Sequence, residues 1–198
     1  SLAEVNDLNT PSRGVAGLVT SSLALAAGGS LYPTSVTAAS EEWNSSQPVG
    51  AWSTTTSLNS GRYYLAASNS GTSTALIAFG GSDGTKRGYT ESWDGSSWTE
   101  VADLNITRTL LVGAGNNTNA LAVGGENPTG RLGATEEWNA STPVGAWTTT
   151  NSMNTARANL AGGGTYTSAI VFGGYTSPGA VSALTESWAG TNWTEVVD

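Results

Sequence analysis

The chain repeats one phrase four times, and this repetition limits the folds open to it. A Gly-Gly pair recurs at Gly28-Gly29, Gly80-Gly81, Gly124-Gly125 and Gly173-Gly174, at spacings of 52, 44 and 49 residues. Tryptophans follow in pairs: Trp43 and Trp52, Trp93 and Trp98, Trp138 and Trp147, Trp188 and Trp193. These eight are all the tryptophan in the chain. A glutamate stands two residues before each first tryptophan, at Glu41, Glu91, Glu136 and Glu186. Leu8-Asn9, Leu58-Asn59, Leu104-Asn105 and Met153-Asn154 precede an arginine each, at Arg13, Arg62, Arg108 and Arg157. Six features in one fixed order, four times over, are a repeat architecture.

Within a unit the runs are short. "RTLLVGAGN" (108–116), "NALAVGG" (119–125), "GATEEWN" (133–139) and "AWTTTNSM" (146–153) are each too brief for a helix and are set off by Gly, Asn and Ser. Four strands in a unit of about 50 residues is the pattern of a propeller blade, so the fold class is all-β. The first strand of each unit is rich in Ala and Gly ("GVAGLVT", "YYLAASN", "TLLVGAGN", "ANLAGGG"). Blades crowd at a central channel, which explains small side chains on the innermost strand.

The order Arg, apolar strand, Gly-Gly, Glu-x-Trp, Trp, Leu-Asn resembles the kelch repeat over the whole chain. The resemblance implies a β-propeller with one four-stranded antiparallel sheet per repeat, four repeats in this chain. Near-identical blades rich in Asn, Ser and Thr are also similar to the kelch-like proteins of marine bacteriophages. The blades fall at about 10–57, 58–103, 104–152 and 153–198. Residues 1–9 are an extra copy of strand four, since "LAEVNDLN" (2–9) matches "WTEVADLN" (98–105). Four units make 16 strands and this copy a seventeenth, which a closed ring of four cannot place. The chain is then a piece of a longer array or is completed by another subunit, with an eight-bladed ring of two chains as one option. It starts at Ser1 in mid-pattern, as a mature product or a fragment would.

The repeated residues read as scaffold. Gly-Gly ends strand two where a turn or close backbone approach is needed. The tryptophans fill the gaps between neighbouring sheets. Arg and Glu supply charge-assisted hydrogen bonds within or between blades. The spacing within the tryptophan pairs alternates nine, five, nine, five, with "PVGAW" marking the long blades. This alternation reads as duplication of a two-blade unit.

The residues outside the pattern point to function. Of seven basic residues, Lys86, Arg87 and Arg131 are not repeat arginines, and all lie on loops joining strands two and three. The same segments hold Tyr32, Asp83, Glu126, Asn127 and Tyr175. In a propeller these loops share one rim, and loops on rigid scaffolds commonly carry binding. Tyr63 and Tyr64 also break the pattern and are placed to line the channel mouth or fill space.

Composition narrows the classes. A net charge of −8 argues against nucleic acid, which needs clustered Lys and Arg. There is no cysteine or histidine and only one lysine, so acid–base chemistry would rest on carboxylates alone. Galactose oxidase shares the kelch fold, but its copper chemistry needs His and Cys, and that activity does not carry over. "SWDGSSW" (92–98) resembles the Asp-box turn of sialidases but is one residue short. Paired carboxylates such as Glu41-Glu42 alternate faces on a strand and do not converge. The expectation is therefore no enzyme, no cofactor and no metal.

No apolar run is long enough to span a bilayer as a helix. The expected role is a structural and binding module of a phage virion or fibre, located on the virion or outside the cell. Its expected partners are other protein subunits, its own or the virion's, and host-surface glycans. The alternatives are a secreted or surface bacterial adhesion module binding carbohydrate, and an intracellular kelch adaptor.

Overall fold

A computed structural model describes residues 6–19, 23–31, 35–46, 50–141 and 145–196. Among the described residues there are only strands, turns and bends. Blade 1 is built from β1 (Ala16–Val19), β2 (Leu23–Ala27), β5 (Ser40–Asn44) and β6 (Ala51–Thr55), hydrogen-bonded in the order β1-β2-β5-β6. A two-stranded hairpin, β3 (Ser30–Leu31) with β4 (Ser35–Val36), projects between its second and third strands. Blade 2 holds β7 (Ala66–Ala67), β8 (Leu76–Phe79), β9 (Thr90–Trp93) and β10 (Trp98–Val101). Blade 3 holds β11 (Val112–Gly115), β12 (Asn119–Val123), β15 (Thr135–Asn139) and β16 (Ala146–Thr150), with a hairpin of β13 (Glu126–Asn127) and β14 (Gly130–Arg131). Blade 4 holds β17 (Ala161–Thr165), β18 (Ser168–Phe172), β19 (Thr185–Trp188) and β20 (Trp193–Val196). Every pairing is antiparallel, and the four-stranded sheets are blades of a β-propeller.

The first strands β1, β7, β11 and β17 lie side by side in chain order. Their small residues are a steric requirement. A Cβ on Gly113 would stand 2.1 Å from the Ala67 carbonyl oxygen of the neighbouring blade. Alanine there would force two backbones apart.

Each blade has a leading face, turned to the preceding blade, and a trailing face, turned to the next. Three apolar clusters fill the three interfaces. Leu25 and Ala27 of blade 1 meet Leu65, Leu76, Trp93 and Trp98 of blade 2. Ile77 and Phe79 of blade 2 meet Leu111, Ala120, Trp138 and Trp147 of blade 3. Leu121 and Val123 of blade 3 meet Leu160, Val171, Trp188 and Trp193 of blade 4.

In every blade the two tryptophans sit directly opposite each other on strands three and four, with ring centroids 5.2–5.7 Å apart. Six of the eight are buried; Trp43 and Trp52 of blade 1 are only half-buried. The "PVGAW" segments lie partly outside the described residues. Gly145 is described, at φ +71°, and a Cβ there would lie 1.8 Å from the Trp138 ring.

The glutamates clasp the loop that enters each blade. The Asn9, Asn59, Asn105 and Asn154 backbone N–H groups each donate to Glu41, Glu91, Glu136 and Glu186 at 2.7 Å. Arg62 pairs with Glu91, Arg108 with Glu136, and Arg157 with Glu186 at 2.9 Å, all with the guanidinium buried. Burial pulls the Arg108 pKa below its ordinary value, and Glu136 opposes that shift. These arginines also donate to carbonyls at the ends of strand two, as Arg62 does to Gly80 at 2.9 Å and Arg157 to Gly173 at 3.0 Å.

Blade 1 departs from the expected fourth pair. The backbone bridges Arg13–Ser30, Tyr63–Ser82, Thr109–Glu126 and Ala158–Tyr175 are equivalent. Arg13 therefore stands one position after the repeat arginine, whose place Ser12 takes. Arg13 is exposed and donates to Ser30 Oγ at 3.2 Å. Among the described residues no ion pair joins it to Glu41, which takes its hydrogen bonds from Asn9 and Thr10. The segment Leu2–Val5 of the extra strand-four copy lies outside the described residues. Asn6 and Asn9 of that copy donate to the Gly50 and Trp52 carbonyls of blade 1.

Candidate functional site

The bridge register that displaces Arg13 also brings four backbone positions into line: Gly14, Tyr64, Leu110 and Asn159. All four are left-handed, with φ of 67°, 53°, 56° and 53°. They link the blades. Tyr64 N–H donates to the Gly14 carbonyl at 2.8 Å, Leu110 N–H to Tyr64 at 3.0 Å, and Asn159 N–H to Leu110 at 2.9 Å. The first residue of this series is glycine, which adopts positive φ without steric cost. For non-glycine residues such a conformation costs on the order of 1–3 kcal/mol, and the inter-blade hydrogen bonds hold it in place. These residues, with Val15, Leu65, Leu111 and Leu160, line a depression of about 140 Å³.

A larger cleft, about 280 Å³, opens beside it between blades 2 and 3. Tyr63, Tyr64, Ser82, Lys86, Thr109 and Glu126 contribute to its lining. The two tyrosine rings meet edge to face at 5.0 Å, and Tyr64 is more than a third exposed. Lys86 crosses from blade 2 to blade 3. Its Nζ lies 2.9 Å from Glu126 Oε1 and donates to the Asn127 carbonyl at 2.8 Å. Thr109 Oγ1 donates to the Tyr64 carbonyl at 3.2 Å, tying the cleft floor to the tyrosine backbone.

Of the rim residues picked out in the sequence, Lys86, Glu126 and Asn127 come together here. Arg131 sits across the β13–β14 hairpin from Glu126, and its Nε is buried with no hydrogen-bond partner among the described residues. Asp83 and Arg87 form a separate pair at 3.0 Å, with Arg87 also 5.3 Å from the Tyr89 ring centroid. Burial pushes the Asp83 pKa up, but the Thr85 N–H and Arg87 outweigh it, and the net shift is downward. Tyr175 is exposed on blade 4, bridged to Ala158 and Val181. Tyr32 lies outside the described residues.

The buried carboxylates Glu91, Glu136 and Glu186 all hold scaffold hydrogen bonds. Asp94, in the turn resembling an Asp box, accepts hydrogen bonds from Ser97 and Ser96 that lower its pKa to about 2. Tyr63 and Tyr64 stood out in the sequence as breaks in the pattern, whereas Thr109, Ser82, Leu110 and Asn159 were not singled out. Gly14 was the available signal, because a glycine in one repeat marks a position where the others need positive φ.

No protein-family model matches the chain, and no curated protein matches it. Among solved structures the chain is similar to the structure of YjhT, with a TM-score of 0.79 at 13% identity, over 98% of this chain and 67% of that chain. At that identity the likeness establishes the fold and nothing of the function.

Proposed function

We propose that this chain is a non-catalytic binding and structural module, carried on a phage virion or fibre, whose rim between blades 2 and 3 contacts host-surface glycans. The observation that carries the reading is the cleft itself. An exposed tyrosine ring stands beside Lys86, Glu126 and the Asn127 backbone, all on a rigid sheet frame. Sugars are recognised by an aromatic surface for their C–H face and fixed polar groups for their hydroxyls, and the cleft offers both. The low charge, with 11% of residues Asp, Glu, Lys or Arg, suits contact with neutral glycans over nucleic acid.

A glycan array tests the reading, with wild type compared with Tyr64→Ala and Lys86→Ala. The expected outcome is binding to a limited set of glycans, weakened about tenfold or more by either change. Silence of the wild type across the array overturns glycan binding. Failure to find the chain among the proteins of purified particles overturns the virion placement.

A further inference from the structure

The left-handed series sets one backbone requirement at four equivalent positions, but the residues that meet it are unequal. Glycine at position 14 takes positive φ without steric cost. Asparagine at 159 is among the side-chain-bearing residues that tolerate it best. Tyrosine and leucine are poorly suited, so Tyr64 and Leu110, at φ 53° and 56°, are the strained choices. Of the four residues, these two line the cleft between blades 2 and 3.

The surrounding structure holds this strain in place. The Tyr64 carbonyl accepts from Leu110 N–H at 3.0 Å and from Thr109 Oγ1 at 3.2 Å, both of blade 3. The Tyr64 ring is fixed as well. A Cβ on Gly14 would stand 2.7 Å from its Cδ1, so the glycine makes room for the ring, and Tyr63 meets it edge to face at 5.0 Å. Core packing does not account for the two side chains. Tyr64 is 37% exposed and Leu110 half-buried, whereas the residues that follow them, Leu65 and Leu111, are buried in the blade interfaces. Positions 65 and 111 serve the core, and positions 64 and 110 serve the cleft.

The chemistry of the lining describes the ligand. Ser82, Thr109, Lys86 and Glu126 offer polar groups to sugar hydroxyls, and the Tyr64 ring offers a surface to a C–H face. A plain hexose has nothing to set against a branched aliphatic side chain beside that ring, and a methyl group does. Taking the cleft as the glycan site proposed above, we propose that Leu110, next to Tyr64, selects sugars that carry a methyl group. That methyl belongs to a deoxyhexose or to an acetamido substituent. It leaves water against Leu110 and the tyrosine ring while the hydroxyls face the polar groups. A methyl-sized difference in an apolar site is worth about tenfold or more in discrimination.

Chemical-shift titrations of the isotopically labelled 198-residue chain with paired sugars test this. L-Rhamnose against L-mannose, and L-fucose against L-galactose, probe the deoxyhexose methyl. N-Acetyl-D-glucosamine against D-glucose probes the acetamido methyl. In one of these two arms the methyl-bearing member is expected to bind about tenfold tighter or more. Leu110→Asn places at this position the residue type that blade 4 carries there. It is expected to abolish the preference while lowering the thermal midpoint far less than Leu111→Asn, which strikes the core. Silence toward every pair, or equal binding of both members, overturns methyl selection, and the glycan array decides separately whether the wider reading stands. A preference that survives in Leu110→Asn also overturns the proposal. So does a midpoint that falls as far as in Leu111→Asn, since Leu110 is then a packing residue.

Discussion

Blades 1 and 4 both stand at an end of the series and carry the same glutamate clasp, but only one of them has the arginine. Glu41 accepts from Asn9 N–H at 2.7 Å, Asn9 Nδ2 at 2.9 Å and Thr10 N–H at 2.7 Å. Glu186 accepts from Asn154 N–H at 2.7 Å, Asn154 Nδ2 at 3.0 Å and Thr155 N–H at 3.4 Å, and from Arg157 at 2.9 Å. Replacing either glutamate by glutamine removes the charge and one acceptor. At Glu41 that loss is a charge-assisted hydrogen bond, about 1.5–3 kcal/mol. At Glu186 it also strands a guanidinium whose side chain is 0% exposed, and breaking a buried pair in that way costs about 3–5 kcal/mol.

The difference, about 2 kcal/mol, is roughly thirtyfold in the local opening equilibrium. Hydrogen exchange is the suitable assay, because stacked repeats open unit by unit. The β19 and β20 amides in Glu186→Gln should lose about thirtyfold more protection than the β5 and β6 amides in Glu41→Gln. Adding Arg157→Met to Glu186→Gln should recover part of the loss by removing the stranded charge. Equal losses in the two blades, or no recovery in the double variant, would refute the argument.

Other outcomes follow from single contacts. Gly113→Ala should destabilise the blade 2–blade 3 junction by about 1–3 kcal/mol or more in urea unfolding, since its Cβ would collide with the Ala67 carbonyl. Trp147→Phe should lower stability by about 1–3 kcal/mol, because it leaves the buried Thr90 hydroxyl without its 3.1 Å donor and shrinks the ring against Phe79. Asp94 has a folded pKa of about 2 against an ordinary 3.8, so its contribution to the turn is complete above the ordinary value and is lost as pH falls through about 2. Carbon-13 titration of the Asp94 carboxyl should show that midpoint, and a midpoint near 3.8 would contradict it. Blade 4 has Ala189 in the same place and should show no such transition.

The four units of this chain, their four-stranded antiparallel sheets and the tryptophans packed between sheets were legible because each rests on periodicity. A tryptophan pair set five or nine residues apart falls directly opposite itself in a hairpin when the loop between grows by four residues. Arg13 misled because residue identity was counted without backbone register. The bridge to Ser30 shows that Ser12, not Arg13, fills the repeat position. The β3–β4 and β13–β14 hairpins carry two residues per strand, too few for an alternation pattern to register. The cleft was half legible. Lys86, Glu126 and Asn127 stood out as breaks in the repeat, but their convergence depends on two loops from adjacent blades, a distance that no spacing within the chain encodes. The half-exposed Trp43 and Trp52 were not foreseeable from motif copies that look alike.

The left-handed series around the channel mouth joins blade to blade through peptide groups alone. Its side chains are hydrogen, phenol, isobutyl and carboxamide in turn, at Gly14, Tyr64, Leu110 and Asn159. Four unlike chemistries thus occupy one architectural position without altering the bonds that knit one blade to the next. The mouth is a place where side chains can change while the frame is kept.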